Sequence, residues 1–474
     1  MPRLIWNLEA IYKSEDAWRS ACKRSSVDGM SDLAFYVRLR ETLEPASAFV
    51  VEARSALHAL KAATPRESQM PTPALIKARA LTNASTRDYR SALNLNFGEV
   101  VASDETRYAL NVSSCGHLMR HPDPAVRAGA SRAWNATLAR HRSSLESRFL
   151  NHFRTPAYQV CKRLDRDAGF FRRLRGLHRV VPALYGTNPD PQGSAVGPAH
   201  VEEKLLWSDF LYAPSSRPHD ASLELTSVIE LVTEALARID AAASARLRRA
   251  FLPEGGGRIH DTSDDFQGLS GAECSLSSRH GAWIKVHWDG SPTAALFLAH
   301  ELGHAFEHEQ KRGQSAGAAR NEMSEFVSTL SEILAAQALD LDPAFVRRWF
   351  LTRFAWQTML ADFQDQLGEP PNDLQAAFEC HLSKWFGGVF ALPVDVGVGV
   401  LGCTPLLFPY APHRYALDLA SAFVVANQLA REPARGSEAY FERMERPRFD
   451  LPEFLALFGP AAAPTQETNH ARIL

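Results

Sequence analysis

One stretch constrains this chain more than any other: Ser291-Pro-Thr-Ala-Ala-Leu-Phe-Leu-Ala-His300-Glu301-Leu-Gly-His304-Ala-Phe306. Ser291 suits a helix N-cap, and Pro292 suits the first helical position, where its missing N–H forfeits no bond and its φ is preset. Apolar residues fill the next two turns, so the stretch predicts a helix. On a helix, residues four apart stand one turn apart on one face. The imidazoles of His300 and His304 can therefore reach a single Zn²⁺, and Glu301 can serve as general base for a water activated there. The alternative is a pair of unrelated core histidines, and the residues downstream of the helix decide between the two.

A catalytic zinc that keeps one position for water takes three protein ligands. His308 continues the row, but it lies about 12 Å along the axis from His300 at ~1.5 Å per residue, too far for one metal. A longer motif with a third histidine is excluded because Gln310 holds that position. Downstream lies an acidic segment with helical character, Asn321-Glu322-Met-Ser-Glu325-Phe-Val-Ser328-Thr329-Leu-Ser-Glu332. Glu325, Ser328 and Glu332 share a face at i, i+3 and i+7, so one helix can bring both a ligand and a supporting acceptor. Glu322, Glu325 and Glu332 are all candidates by type.

His300-Glu-Leu-Gly-His304-Ala, followed by Glu325 and by Ser328-Thr-Leu-Ser-Glu332, resembles the thimet oligopeptidase and oligoendopeptidase F family of zinc peptidases, the oligoendopeptidase F branch most of all. The resemblance places the third ligand on Glu325 and the carboxylate that supports a ligand histidine on Glu332. In thermolysin-like enzymes an Asn-Glu pair carries the ligand, which would select Glu322. Glu325 is preferred because the likeness extends in order over most of residues 200 to 460. It takes in Ser270-Gly-Ala272, the segment Ala282-Trp-Ile-Lys-Val-His287-Trp288, and the aromatic loop Phe408-Pro-Tyr410-Ala-Pro-His413-Arg-Tyr415. The opening Trp6-Asn-Leu-Glu-Ala-Ile-Tyr12 is also similar to the family's start.

The resemblance implies a mainly α, two-lobed metallopeptidase with a deep channel, one zinc per chain and a small β-sheet beside the zinc helix. Tyr415, with His413, is the implied hydrogen-bond donor to the oxyanion. The family's upstream loop histidine is missing near Thr404-Pro405. His287, Trp288 and Tyr410 are the implied substrate contacts. Residues 282–288 alternate and are rich in β-branched and aromatic types, which predicts a strand whose edge can pair with an extended peptide. The implied activity is hydrolysis of internal bonds in short unfolded peptides. The alternatives are an enzyme dedicated to maturing one peptide and a zinc-bearing peptide-binding protein without turnover; retention of Glu301 weighs against the latter.

Pro- and Gly-rich residues 186–199 read as a linker between a helical lobe, 1–185, and a catalytic domain, 200–458, with a polar tail over 459–474. A formal charge of −2 argues against nucleic acid as the main partner. The basic stretch from Lys162 to Arg179 interleaves with Phe170, Phe171, Leu174 and Leu177, the pattern of a solvated helix face. No apolar run approaches a membrane span and no signal peptide is visible. Six scattered cysteines without a Cys-x-x-Cys pair suit reduced thiols and a cytoplasmic setting. Oligomeric state is left open.

Overall fold

A computed structural model describes residues 5–24, 27–44, 47–63, 97–110, 115, 118, 124–156, 158–159, 205–206, 222–252, 257–263, 271–277, 279–311, 325–367, 373–386, 390–391 and 411–445. In chain order the helices are α1 (Glu15–Arg24), α2 (Val27–Leu43), α3 (Ala48–Ala63), α4 (Pro124–Arg140), α5 (Arg142–Phe153), α6 (Leu225–Ala237) and α7 (Ala241–Phe251). They continue with α8 (Pro292–Lys311), α9 (Glu325–Ala338), α10 (Pro343–Gln366), α11 (Leu374–Phe386), α12 (Ala411–Arg431) and α13 (Pro433–Glu445). The strands are short: β1 (Glu99–Val101), β2 (Arg107–Ala109), β3 (Leu205–Leu206), β4 (Ile259–Asp261), β5 (Ala272–Ser277), β6 (Gly281–Val286) and β7 (Phe390–Ala391). The protein is thus mainly α with a small sheet. Among the described residues, no helix is long and apolar enough to cross a membrane.

Two compact units divide the chain. The first takes Met1–Gln69, Ser222–Ser263 and Gly271–Leu339; the second takes Met70–Ala221, Asp264–Ser270 and Asp340–Leu474. The sequence suggested one continuous lobe after another, whereas each unit draws on separated stretches. The expected linker, 186–199, lies outside the described residues, as do the basic stretch 162–179 and the tail 459–474. The reason for the interleaving in the first unit is packing across long sequence separation. The Trp6 indole N–H donates to the carbonyls of Arg258 (3.1 Å) and Ile284 (2.8 Å), 252 and 278 residues away. Trp283 in turn joins Trp18, Phe35, Tyr36, Phe49 and Val50 in one buried cluster. A composition break marks a loop but says nothing about which side chains meet.

The sheet of the first unit has the order β4-β6-β5, with β4 parallel and β5 antiparallel to β6. The strand expected over 282–288 is therefore β6, ending at Val286, and it is the central strand. Its ladder bonds are divided by parity. Ile284 donates to Arg258 and Val286 accepts from Thr262 on the β4 side, while His287 donates to Gly271 on the β5 side. Because antiparallel pairs alternate between bonded and non-bonded, Gly271, Glu273, Ser275 and Ser277 turn their peptide groups inward to β6. Ala272, Cys274 and Leu276 turn theirs outward. Among the described residues, the outer strand on this side is β5, not β6.

In the second unit, α10 packs on α12 through Phe350 and Phe423, whose rings meet edge to face at 5.1 Å. It also packs on α11 through Phe363 and Phe378, 5.2 Å apart. The Trp385 indole donates to Asp362 (2.9 Å), giving its buried N–H the partner it requires. Helices α12 and α13 form a tight hairpin.

Candidate metal centre

The expected cap builds α8. Ser291 Oγ accepts from the Ala294 N–H (3.1 Å), and Pro292 is the first helical residue. The helix then runs for 20 residues and packs against β5, β6 and α9. His300 and His304 fall one turn apart, their rings edge to face with centroids 4.8 Å apart.

Gly303 lets α9 come close enough to matter. A Cβ there would stand 2.5 Å from the Ser328 Cα and 2.8 Å from the Val327 carbonyl oxygen, distances no side chain can occupy. The missing methyl lets two backbones touch, and that contact carries Glu325 and Glu332 to the histidines. Glu325 Oε2 lies 3.2 Å from His300 Nε2 and 3.9 Å from His304 Nε2. Together the three residues offer donor atoms that all lie within 4.8 Å of one another. Tetrahedral zinc with bonds of ~2.0–2.2 Å needs donors roughly 3.4 Å apart, so two nitrogens and a carboxylate at this spacing fit the ion. His308 stands outside the group, and Glu322 lies outside the described residues.

Glu332 is buried and its Oε1 meets His300 Nδ1 at 2.6 Å. This contact fixes which ring nitrogen faces Glu325 and leaves Nε2 to point at the centre. Ser328 Oγ donates to Glu325 Oε2 (3.3 Å) and to the Glu325 carbonyl (3.1 Å), steadying the third donor from within its own helix.

Charge is concentrated here. In the metal-free protein, burial favours a neutral His300, but its hydrogen bonds to Glu325 and Glu332 outweigh burial and raise its pKa to about 10. Burial, reinforced by His300, pushes His304 down to about 4. Glu301 is lifted to about 7 by burial, while His300 pulls it back, Glu325 pushes it up and the Cys274 N–H pulls it down by donating a hydrogen bond. The Cys274 thiol sits beside Glu301 but is buried and held well above its usual pKa, so it stays protonated and is no nucleophile. The Cys274 main-chain N–H faces outward from β5 by the ladder's parity, towards the Glu301 carboxylate.

The remaining expected residues belong to other elements. His287 and Trp288 follow β6 directly, and their amides are already committed, to Gly271 O (2.8 Å) and Asp261 Oδ1 (3.3 Å). They cannot offer N–H groups to a peptide, whatever their side chains do. His413 and Tyr415 lie in the first turns of α12 in the second unit; His413 is buried, and the Tyr415 hydroxyl accepts from Arg353. Tyr410 lies outside the described residues. Gly303 and the Cys274 N–H were not anticipated. The Gly between Glu301 and His304 was the available signal for the first; nothing local reveals the second.

No family model matches the sequence, and no curated protein matches it at a significant level. Solved structures do match, over nearly the whole chain. A protein assigned as a peptidase from Chlamydophila abortus gives a TM-score of 0.62 at 12% identity, covering 97% of this chain and 94% of its own. PZ peptidase A with an inhibitor gives 0.59 at 13% identity, with 95% and 90% covered. A structure assigned as an oligoendopeptidase F gives the same values, 0.59 at 13% identity with 95% and 90% covered. At such identities the likeness is one of fold: the chain has an oligoendopeptidase F-like fold.

Proposed function

We propose that the protein is a zinc-dependent oligopeptidase that hydrolyses internal bonds of short, unfolded peptides, with His300, His304 and Glu325 as metal ligands. The observation that carries this is the meeting of those three donor sets within 4.8 Å, with Glu301 on the same helix as two of them. The solved structures that share the fold are described as peptidases, which supports the class of reaction. Bound zinc would supply Lewis-acid activation of water and of the scissile carbonyl. Glu301 takes the attacking water's proton and returns it to the leaving amine. Glu332 holds His300 in its tautomer, and Cys274 N–H keeps Glu301 aimed. Among the described residues no strand pairs with the outer edge of β5, which offers the Ala272 backbone groups and the Cys274 carbonyl to an extended peptide, binding main chain irrespective of side-chain identity. Tyr415, at the position the family resemblance selects, is the proposed oxyanion donor, and Arg353 donates to its hydroxyl.

The test is incubation with a mixed pool of peptides, with and without chelator, read by mass spectrometry. Internal cleavage that chelator abolishes and added zinc restores is expected. Chelator-insensitive cleavage, or none with a zinc-loaded protein, would overturn the assignment. A single product from the whole pool would point instead to an enzyme dedicated to one peptide. Glu325→Ala should lose bound zinc in metal analysis, and a Glu325→Ala protein that keeps stoichiometric zinc would remove that residue from the ligand set.

A further inference from the structure

The open edge of β5 carries a charge that the proposed chemistry does not use. Glu273 lies between Ala272 and Cys274, the two residues that turn their peptide groups outward. Its side chain is 50% exposed and pairs across the ladder with Lys285, which is 21% exposed, at 2.9 Å. The rest of that face of β5–β6 is closed, since Ser275, Ser277 and Trp283 are buried. Among the described residues, Glu273 is therefore the acidic group on the exposed end of that sheet face, one residue from the amide directed at Glu301.

An extended chain laid antiparallel on β5 would bond to the N–H and carbonyl of Ala272 and to the carbonyl of Cys274, whose N–H stays on Glu301. The residue opposite Glu273 would then fall in a non-bonded pair, the closer of the two kinds, with its side chain on the same face as Glu273. We infer that Glu273 is a specificity-determining residue that favours a cationic side chain, arginine or lysine, at the substrate position opposite it, next to the bond under attack. This rests on the peptidase function proposed above and names its preferred substrate class. Lys285 neutralises part of the carboxylate when no substrate is bound. An incoming guanidinium approaches from the other side, so the carboxylate ends between two cations, while an incoming acidic side chain is repelled.

The experiment uses zinc-loaded full-length protein and internally quenched peptides in which one position at a time is arginine, its neutral isostere citrulline, or glutamate. Arginine should exceed citrulline in kcat/KM by about two- to five-fold at one position, the scale of a partly exposed cross-strand charge pair, with glutamate lowest. Glu273→Gln should bring that ratio to one, Glu273→Lys should invert it, and Lys285→Gln should raise it. Equal handling of arginine and citrulline at every position, or a ratio unmoved by Glu273→Gln, overturns the inference and leaves the peptidase function standing. A second arm measures binding of the same labelled peptides to Glu301→Gln protein by fluorescence anisotropy. If wild type cuts no peptide but this arm shows the arginine preference and its loss in Glu273→Gln, the inference holds and turnover fails. If neither cutting nor binding is seen, both fall.

Discussion

Two helix contacts in this protein use the same steric device for different ends. At Gly303 an added Cβ would lie 2.5 Å from the Ser328 Cα of α9; at Gly436 it would lie 2.5 Å from the Leu429 Cα and N of α12. Both pairs bring backbone against backbone where any side chain would clash. In the first unit the contact gathers His300, His304, Glu325 and Glu332 within hydrogen-bond or ligand distance. In the second it closes the α12–α13 hairpin, with Tyr440 buried and no cluster of ligating side chains among the described residues. Close approach is thus not itself a functional sign; what matters is which side chains the approach delivers.

If chemistry lives on the α8–α9 contact, changes there should hurt activity out of proportion to stability. The largest effect is expected from Glu301→Gln, which keeps the ligands and removes the base. Its kcat should fall by about 10²–10⁴-fold with zinc content and melting temperature unchanged. An active Glu301→Gln protein would break the comparison at its root.

Tyr415→Phe asks whether α12 is purely architectural. As oxyanion donor, Tyr415 should cost roughly 10²–10³ in kcat when its hydroxyl is lost, with little change in KM. If the hydroxyl only receives Arg353, melting temperature will drop while kcat holds, and the whole chemistry returns to the first unit. Glu332→Ala comes next. Loss of the contact that orients His300 should weaken zinc by ~10–100-fold in a competition titration, short of the loss expected at Glu325. Unchanged zinc affinity would show that burial alone fixes the ring.

Much of the His300–His304–Glu325 cluster was legible because its determinants are local. Ser291, Pro292, the spacing of His300 and His304, and the i, i+7 relation of Glu325 and Glu332 all follow from one helical period. The sheet was not legible in the same way. Residues 282–288 have the alternation of an edge strand, yet β6 is central, because Ile259–Asp261 pairs with it from 25 residues upstream. β4 is too short for a period to show, and pairing order is a non-local property that alternation does not encode. The first unit draws on separated stretches for the same reason: Trp6 and Trp283 share a core that no window of sequence contains.

The smallest expected effect is the most direct test of the comparison. Gly303→Ala and Gly436→Ala each gain about 1 kcal/mol of helix propensity and each force a methyl into facing backbone. Overpacking of this kind costs typically ~1–3 kcal/mol, and neither neighbour can yield easily because the atoms in the way are main chain. Both variants should therefore melt slightly below wild type in the zinc-free form, by similar amounts. They should part in zinc binding. At Gly303 the strain is relieved by moving α9 outward, which carries Glu325 and Glu332 with it and opens donor spacings that already reach 3.9 Å. Zinc affinity should fall by about tenfold, the scale seen when a supporting contact is disturbed. At Gly436 the relief moves α13 away from α12, and zinc affinity should equal that of wild type. Equal losses in both variants would mean that strain spreads through the whole molecule and that the α8–α9 contact has no private hold on the metal.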